Sequence, residues 1–193
     1  DDDIIDEHSI RRNKPTIPKI YSSNKFKGEY GALLASKILW LFGLNLIIAA
    51  KIPSKFQKAC LNAYLNIAKS IDKAQLLDLE YRNNFKISET EYLVQIDLVA
   101  AQFIAHLFKL CAPKDCATEF FEIGRYLGMA FQLADDLMDL DITKKKGRSL
   151  GSDIKEGTPT LLSIYAYNKL KDSEKEKFMH LFGNPNLSHF ELN

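Results

Sequence analysis

The stretch Phe131-Gln132-Leu133-Ala134-Asp135-Asp136-Leu137-Met138-Asp139 carries three carboxylates among apolar residues, with no Gly or Pro to break a helix. At about 3.6 residues per turn, Gln132, Asp135, Asp136 and Asp139 share one stripe, while Leu133, Leu137 and Leu140 take the opposite side. The expectation is a helix with an apolar anchor and an acidic face. Like charges at this spacing repel unless something positive sits over them. A calcium loop starting at Asp139 fails, because Lys144 stands where its turn needs glycine and Leu150 where it needs a closing carboxylate. Magnesium suits the stripe better: it takes one or two carboxylates, keeps several waters and shares the phosphate oxygens of a substrate.

A second acidic stripe opens the chain. On a helix, Asp2, Asp3 and Asp6 share a face, and Arg11 and Arg12 follow one or two turns later. The run Lys144-Lys145-Lys146-Gly147-Arg148 follows the first-described stripe. Two such stripes facing each other across a helical bundle would hold several magnesium ions and clamp a diphosphate, with arginines adding bidentate contacts. Plainer readings stand beside this one. A charged helix face is usually a solvated face, and a lysine run is usually a solvated loop. Gly124 and Gly128, on the helix of Asp135, open a groove either for a ligand or for a neighbouring helix.

The remaining composition narrows the classes. With 193 residues, one globular domain spanning 1–193 is the expectation. The 26 basic and 25 acidic residues leave a formal charge of +1, which argues against a nucleic-acid partner. Cys60, Cys111 and Cys116 lack the spacing of a disulfide framework or zinc site, so buried or inert thiols in a reducing cytoplasmic or organellar compartment are expected. The apolar run from Ile38 to Ala50 is shorter than the roughly twenty residues of a membrane span and reads as a core helix, so no transmembrane segment is expected. The opening Asp1-Asp2-Asp3 is an unusual start, and targeting information is expected to lie upstream of it.

The elements that must position these residues are helical. Asn13 and Pro15 end the helix of the first stripe, and the polar segment Pro18 to Gly31 reads as a mobile loop. Helix follows to Pro53, with Gly43 as its strong interruption, and again from Ser54 to a break at Arg82-Asn83-Asn84. Ser88 with Glu91 is a capping box for a helix running to Cys111. Asp115 is the expected cap of the helix that carries Asp135 and ends near Asp141. Thr158-Pro159 predicts a cap followed by proline at the first helical position, and Ser173 with Glu176 a box for a short last helix. Alternating strand patterns and hairpin signals are absent, so the fold class is all-α.

These residues resemble the trans-polyprenyl diphosphate synthases. Asp2-Asp3-x-x-Asp6 and Arg11-Arg12-Asn13-x-Pro15-Thr16 resemble that family's first aspartate-rich motif with its trailing RRGxPT. Gln75-Leu76-Leu77-Asp78-Leu79 resembles a segment lining the family's cavity. Gly128-x-Ala130-Phe131-Gln132-x-x-Asp135-Asp136-x-x-Asp139 resembles its second aspartate-rich motif. Gly147-Arg148-x-x-Gly151-Ser152-Asp153-Ile154-x-Glu156-Gly157-x-x-Thr160-Leu161 resembles the loop and helix after that motif. The resemblance implies an isoprenoid synthase fold, a bundle of long antiparallel helices around a central cavity, truncated here at both ends. It implies three magnesium ions held by Asp2, Asp3, Asp6, Asp135, Asp136 and Asp139. The substrates would be isopentenyl diphosphate and an allylic diphosphate, joined into a chain one isoprene unit longer. Arg11 would face the allylic diphosphate, Arg12 the isopentenyl diphosphate, and Gln132 and Arg148 would line the same site. A homodimer is implied, or a heteromer with a homologue.

Several positions depart from the family pattern. Val99-Ala100 stand where Lys-Thr is usual, Thr158 where a lysine is usual, and Ser36-Lys37 where Gly-Asp is usual, while Arg148 keeps the charge of a usual lysine. Each lost charge-assisted contact weakens diphosphate binding by about 1.5–3 kcal/mol. The alternative this motivates is a partly degenerate regulatory subunit of a heteromeric synthase. Two further rivals are another class I terpenoid enzyme, such as a cyclase, and a purely structural helical module. The segment after the second motif leans toward long-chain synthases.

Overall fold

The computed structural model describes residues 2–11, 13–21, 25–140 and 151–187, the side chains of Asp2, Lys25 and Phe26 excepted. The chain divides into two compact units, with described residues up to Tyr64 in the first and those from Leu65 in the second.

The first unit begins with α1 (Asp2–Ile5), a single turn much shorter than the sequence predicts. A small antiparallel ribbon follows, β1 (Ile10–Arg11) with β2 (Lys14–Pro15), pairing Arg11 with Lys14 and Ile10 with Pro15. Two-residue strands carry too little alternation to be read from sequence, and this hairpin corrects the expectation of none. Asn13 makes its turn at φ 61°, a left-handed conformation that Asn tolerates better than most side chains and that the glycine of RRGxPT would adopt without strain. The buried Thr16 ties the ribbon back, donating from Oγ1 to the His8 carbonyl at 2.6 Å.

The expected loop from Pro18 to Gly31 is largely helical. It holds most of α2 (Ile17–Ile20), with proline in its first turn, and the start of α3 (Lys25–Ala49). A methyl group on Gly28 would lie 2.3 Å from the Pro18 carbonyl oxygen, so the close approach of α2 to α3 requires glycine there. α3 runs straight through Gly43, where the ring of Tyr64 packs and its hydroxyl donates to the Trp40 carbonyl at 2.5 Å. Gln57 donates to the Ile47 and Ile48 carbonyls at 3.0 and 2.9 Å, joining the Ala50 amide on Ile47 in satisfying the C-terminal end of α3.

The Ile38–Ala50 run is not the buried core helix expected: Ile38 is 64% exposed, Leu39 66% and Phe42 58%. The contacts made by α2, Tyr64 and Gln57 cover one flank of α3 and leave the rest of its apolar surface open. By length and composition alone, residues Lys27–Ala49 and Glu89–Cys111 are long and apolar enough to cross a membrane, a criterion that core helices also meet. Cys60 is half-buried, and Cys111 and Cys116 are exposed free thiols, so of the expected buried or inert thiols none is fully buried.

The second unit takes over within α4 (Ser54–Tyr81), which ends before Asn83 at φ 57°. Ser88 and Glu91 form the predicted capping box of α5 (Glu89–Ile96). α5 continues through a π-helical turn (Asp97–Ala101) into α6 (Gln102–Cys111), an irregularity with no mark in the sequence DLVAA. Asp115 lies in a 3₁₀ turn (Lys114–Cys116) and does not cap α7 (Ala117–Asp139), which ends two residues before the expected Asp141. α7 returns antiparallel along α6. A methyl on Gly124 would sit 2.9 Å from Ala105 Cα, and one on Gly128 2.5 Å from Ala101 Cα. The glycine groove therefore receives a neighbouring helix.

α8 (Ser152–Glu156) follows, with Gly151 and Gly157 left-handed at its two ends. α9 (Leu161–Lys169) is capped by Thr160 with Ser163, so Pro159 precedes the cap instead of following it. α10 (Asp172–Leu181) starts from Lys171 with Glu174, two residues before the predicted box. The core joins Tyr81, Ile87, Tyr92, Ile96 and Ile164, with Leu77, Met129 and Leu133 packed against it. A satellite of Phe85, Tyr167, Phe178 and Phe182 packs ring on ring, stacked, tilted and edge-to-face, at centroid distances from 4.5 to 5.9 Å.

Candidate functional site

The first acidic stripe is folded onto its own hairpin. The ribbon returns Arg11 over α1, with Nε 2.6 Å from Asp3 Oδ1. The Nε–H does not point at that oxygen, so this contact is an ion pair without hydrogen-bond geometry. His8 Nδ1 lies 3.9 Å from Asp3 Oδ1 and 3.8 Å from Asp6 Oδ2. The structure thus gathers Asp3, Asp6 and Arg11, and adds His8, which the sequence reading passed over because a lone histidine in a polar segment carries no spacing signal. Arg12, Arg148 and the side chain of Asp2 lie outside the described residues. A cavity of about 450 Å³ opens beside Asp3 and runs along Ile4, Leu39 and Trp40 to Gly43 and Tyr64.

The second stripe reverses the expected polarity of α7. Asp136 and Asp139 are buried at 9% and 5% exposure, whereas Leu137 and Leu140, the supposed anchor, are 56% and 42% exposed. Leu133 alone of the predicted apolar side packs on the core. Buried carboxylates are costly unless donors meet them, and here donors do. Gln132 Nε2 donates to Asp136 Oδ1 at 2.9 Å, and the Tyr92 hydroxyl on α5 donates to Asp136 Oδ2 at 2.5 Å. Ser152 Oγ donates to Asp139 Oδ1 at 2.6 Å, the Asp153 amide to Oδ2 at 3.1 Å, and the Gly151 amide to the Asp139 carbonyl at 3.0 Å. Asp135, on the same stripe, is half-buried.

These donors are uncharged and orient the carboxylates. Burial, followed by the charge of Asp136, pushes the Tyr92 phenol well above its ordinary range and keeps it a donor. Carboxylates presented this way suit a hard, oxygen-seeking cation such as magnesium. Tyr92, Ser152 and the Asp153 amide went unassigned in the sequence because they bond to the stripe from 44, 13 and 14 residues away.

The segment that resembles a cavity lining is held by a second polar cluster. Arg82 Nη2 and Gln95 Nε2 donate to Asp78 at 2.9 and 3.3 Å. At the π-helical turn, Asp97 accepts from Arg125 Nε at 2.5 Å and from Gln102 Nε2 at 2.8 Å. That bond to Asp97 pushes the Arg125 guanidinium further up. Val99 and Ala100 sit half-buried within the turn.

The family model for polyprenyl synthetase matches residues 1–191. The chain belongs to the polyprenyl synthetase family. It is 29% identical to a short chain isoprenyl diphosphate synthase of Methanocaldococcus jannaschii, over 99% of this chain and 58% of that protein. It is 30% identical to a geranylgeranyl diphosphate synthase of Sulfolobus acidocaldarius, over 99% and 58%. Among solved structures, a geranylgeranyl pyrophosphate synthetase from Pyrococcus horikoshii matches with a TM-score of 0.80 at 27% identity, over 94% of this chain and 56% of that one. A geranylgeranyl pyrophosphate synthase from Corynebacterium glutamicum, complexed with isoprenyl diphosphate and magnesium, matches with a TM-score of 0.89 at 20% identity, over 99% and 59%. The expected all-α isoprenoid synthase fold is therefore the fold of this polyprenyl synthetase, which spans less than three fifths of the length of these relatives.

Proposed function

We propose that this polyprenyl synthetase chain belongs to a magnesium-dependent polyprenyl diphosphate synthase, which condenses isopentenyl diphosphate with an allylic diphosphate into a short prenyl chain. The observation that carries the reading is the second stripe, with two buried carboxylates aimed by uncharged donors beside a third that is half-buried. The names of the relatives favour a short product over the long-chain lean of the sequence.

Asp2, Asp3, Asp6, Asp135, Asp136 and Asp139 would hold the magnesium ions. When bound, magnesium supplies positive charge where a leaving diphosphate gathers negative charge. The chain's own residues do the rest. Tyr92 and Gln132 fix both oxygens of Asp136, while Ser152 and the Asp153 amide fix those of Asp139, so little reorganisation remains when a ligand arrives. Arg11 is the cation beside the first stripe, and we assign it to the allylic diphosphate, with Arg12 on the isopentenyl diphosphate and Arg148 joining them. Ile4, Leu39 and Trp40 offer an apolar prenyl chain a dry wall next to Asp3.

Full-length protein given radiolabelled isopentenyl diphosphate, an allylic primer and magnesium should form a longer prenyl diphosphate. A second reading, the regulatory subunit of a heteromer, is favoured by Val99-Ala100 and Thr158, which leave this chain short of cations. Product formed only after a homologue is added would establish that reading and displace the first.

A further inference from the structure

The α5–α6 and α7 helices meet at three residue pairs whose spacings do not agree. Tyr92 bonds Asp136, Ala101 packs on Gly128, and Ala105 packs on Gly124. Four residues separate the last two pairs on both helices. Between the first two pairs, nine residues pass on the α5 side and only eight on α7. At about 100° per residue, nine regular steps from Ala101 would place Tyr92 about 180° away, on the opposite face of its helix. Eight steps give about 80°, which is the rotation separating Gly128 from Asp136.

The extra residue is absorbed between Asp97 and Ala101, where the Gln102 amide reaches back five residues to the Asp97 carbonyl. The turn is clamped onto α7 from the side by the Arg125–Asp97 pair at 2.5 Å. We propose that Tyr92 is a positioning residue for the second acidic stripe, and that the π-helical turn at Asp97–Ala101 is the device that aims it. A helix without the turn could keep the close backbone packing on Gly128 or the hydroxyl on Asp136, but not both. Tyr92 is only 2% exposed, so its hydroxyl acts on a ligand through Asp136 and not by contact. The inference rests on the magnesium–diphosphate reading of Asp135 to Asp139 and names the residue that sets its geometry.

The test uses full-length protein, magnesium and inorganic diphosphate in a titration calorimeter, with manganese binding followed by electron paramagnetic resonance. Tyr92→Phe should weaken magnesium-dependent diphosphate binding and manganese binding about tenfold or more, the loss typical when a metal ligand's supporting partner is removed. Weak diphosphate binding without metal should not change. Deleting Val99 leaves eight residues on each side, the spacing a regular helix matches, so it should remove the turn. It should keep both binding signals within about twofold of the parent and leave the full Tyr92→Phe loss visible in that background. A Tyr92→Phe protein with a lower melting temperature but unchanged magnesium dependence overturns the proposal, because Tyr92 would then only pack. Deletion of Val99 that by itself weakens binding as much as Tyr92→Phe overturns the role of the turn. If deletion of Val99 prevents folding, Tyr92→Phe alone decides. Parent protein that binds no magnesium-diphosphate removes the functional reading itself, a result distinct from either.

Discussion

The two acidic stripes of this chain carry the same DDxxD spacing and are built in opposite ways. The first sits on a single helical turn, and its carboxylates are balanced by charge: Arg11 against Asp3, with His8 within 4 Å of Asp3 and Asp6. The second sits on a helix of 23 residues, and buried Asp136 and Asp139 accept from uncharged donors on two other elements, α5 and α8. A cation lowers the field a carboxylate presents to a ligand, whereas a neutral donor fixes its direction and leaves its charge. The first stripe is therefore adjustable, with a cation that an anionic ligand can compete for. The second is preorganised.

Changing the half-buried carboxylate of the second stripe should separate chemistry from stability most sharply. Asp135→Asn should cut product formation at least about 100-fold by removing one of the metal ligands proposed above, the equivalent of roughly 2.7 kcal/mol of transition-state stabilisation. The urea midpoint should move less than for a change at buried Asp139, because Asp135 is half-buried. Chelation of magnesium should abolish product entirely, and its return should restore it. A large drop in stability for Asp135→Asn would show that the second stripe is structural throughout.

Asp139→Ala tests the opposite property. It leaves the Ser152 hydroxyl and the Asp153 amide without their buried acceptor, so urea unfolding should show a loss of about 2–4 kcal/mol. The first stripe should show nothing of this size at Asp3, whose partner is a half-exposed arginine. Its more sensitive point is Asn13, held at φ 61° in the turn that returns Arg11 to α1. Asn13→Val should cost about 1–2 kcal/mol, and Asn13→Gly should be neutral or slightly stabilising.

What the sequence revealed and what it hid divide along the same line. Ser88 and Glu91 are three residues apart and form their box as read; the acidic spacing on α7 was equally local and equally legible. Asp115, Thr158 and Ser173 had the right residue types for caps, but the neighbouring Cys116, Thr160 and Lys171 took those places. Identity alone does not choose between adjacent candidates. The burial of Asp136 and Asp139 could not be read, since the donors that make it tolerable lie on α5 and α8. Nor could the π-helical turn, because Leu98, Val99 and Ala100 suit a regular helix equally well and only the packing of Gly128 against Ala101 exposes the extra residue.

The smallest effect discriminates best between charge and direction. Arg11→Ala removes an ion pair whose side chains are 35% and 28% exposed, so its cost in dilute buffer should be at most about 1 kcal/mol. At 1 M salt the screening length falls to about 3 Å, comparable to the ion-pair distance, and that cost should largely vanish. Tyr92→Phe breaks a bond 2% exposed to solvent, so its destabilisation should persist undiminished in the same salt. Urea melts of both variants and the parent at low and high salt give the comparison directly. A salt-dependent Tyr92→Phe would mean that solvent and ions reach Asp136. The second stripe would then be as adjustable as the first, and the contrast between them would lie only in the length of their helices.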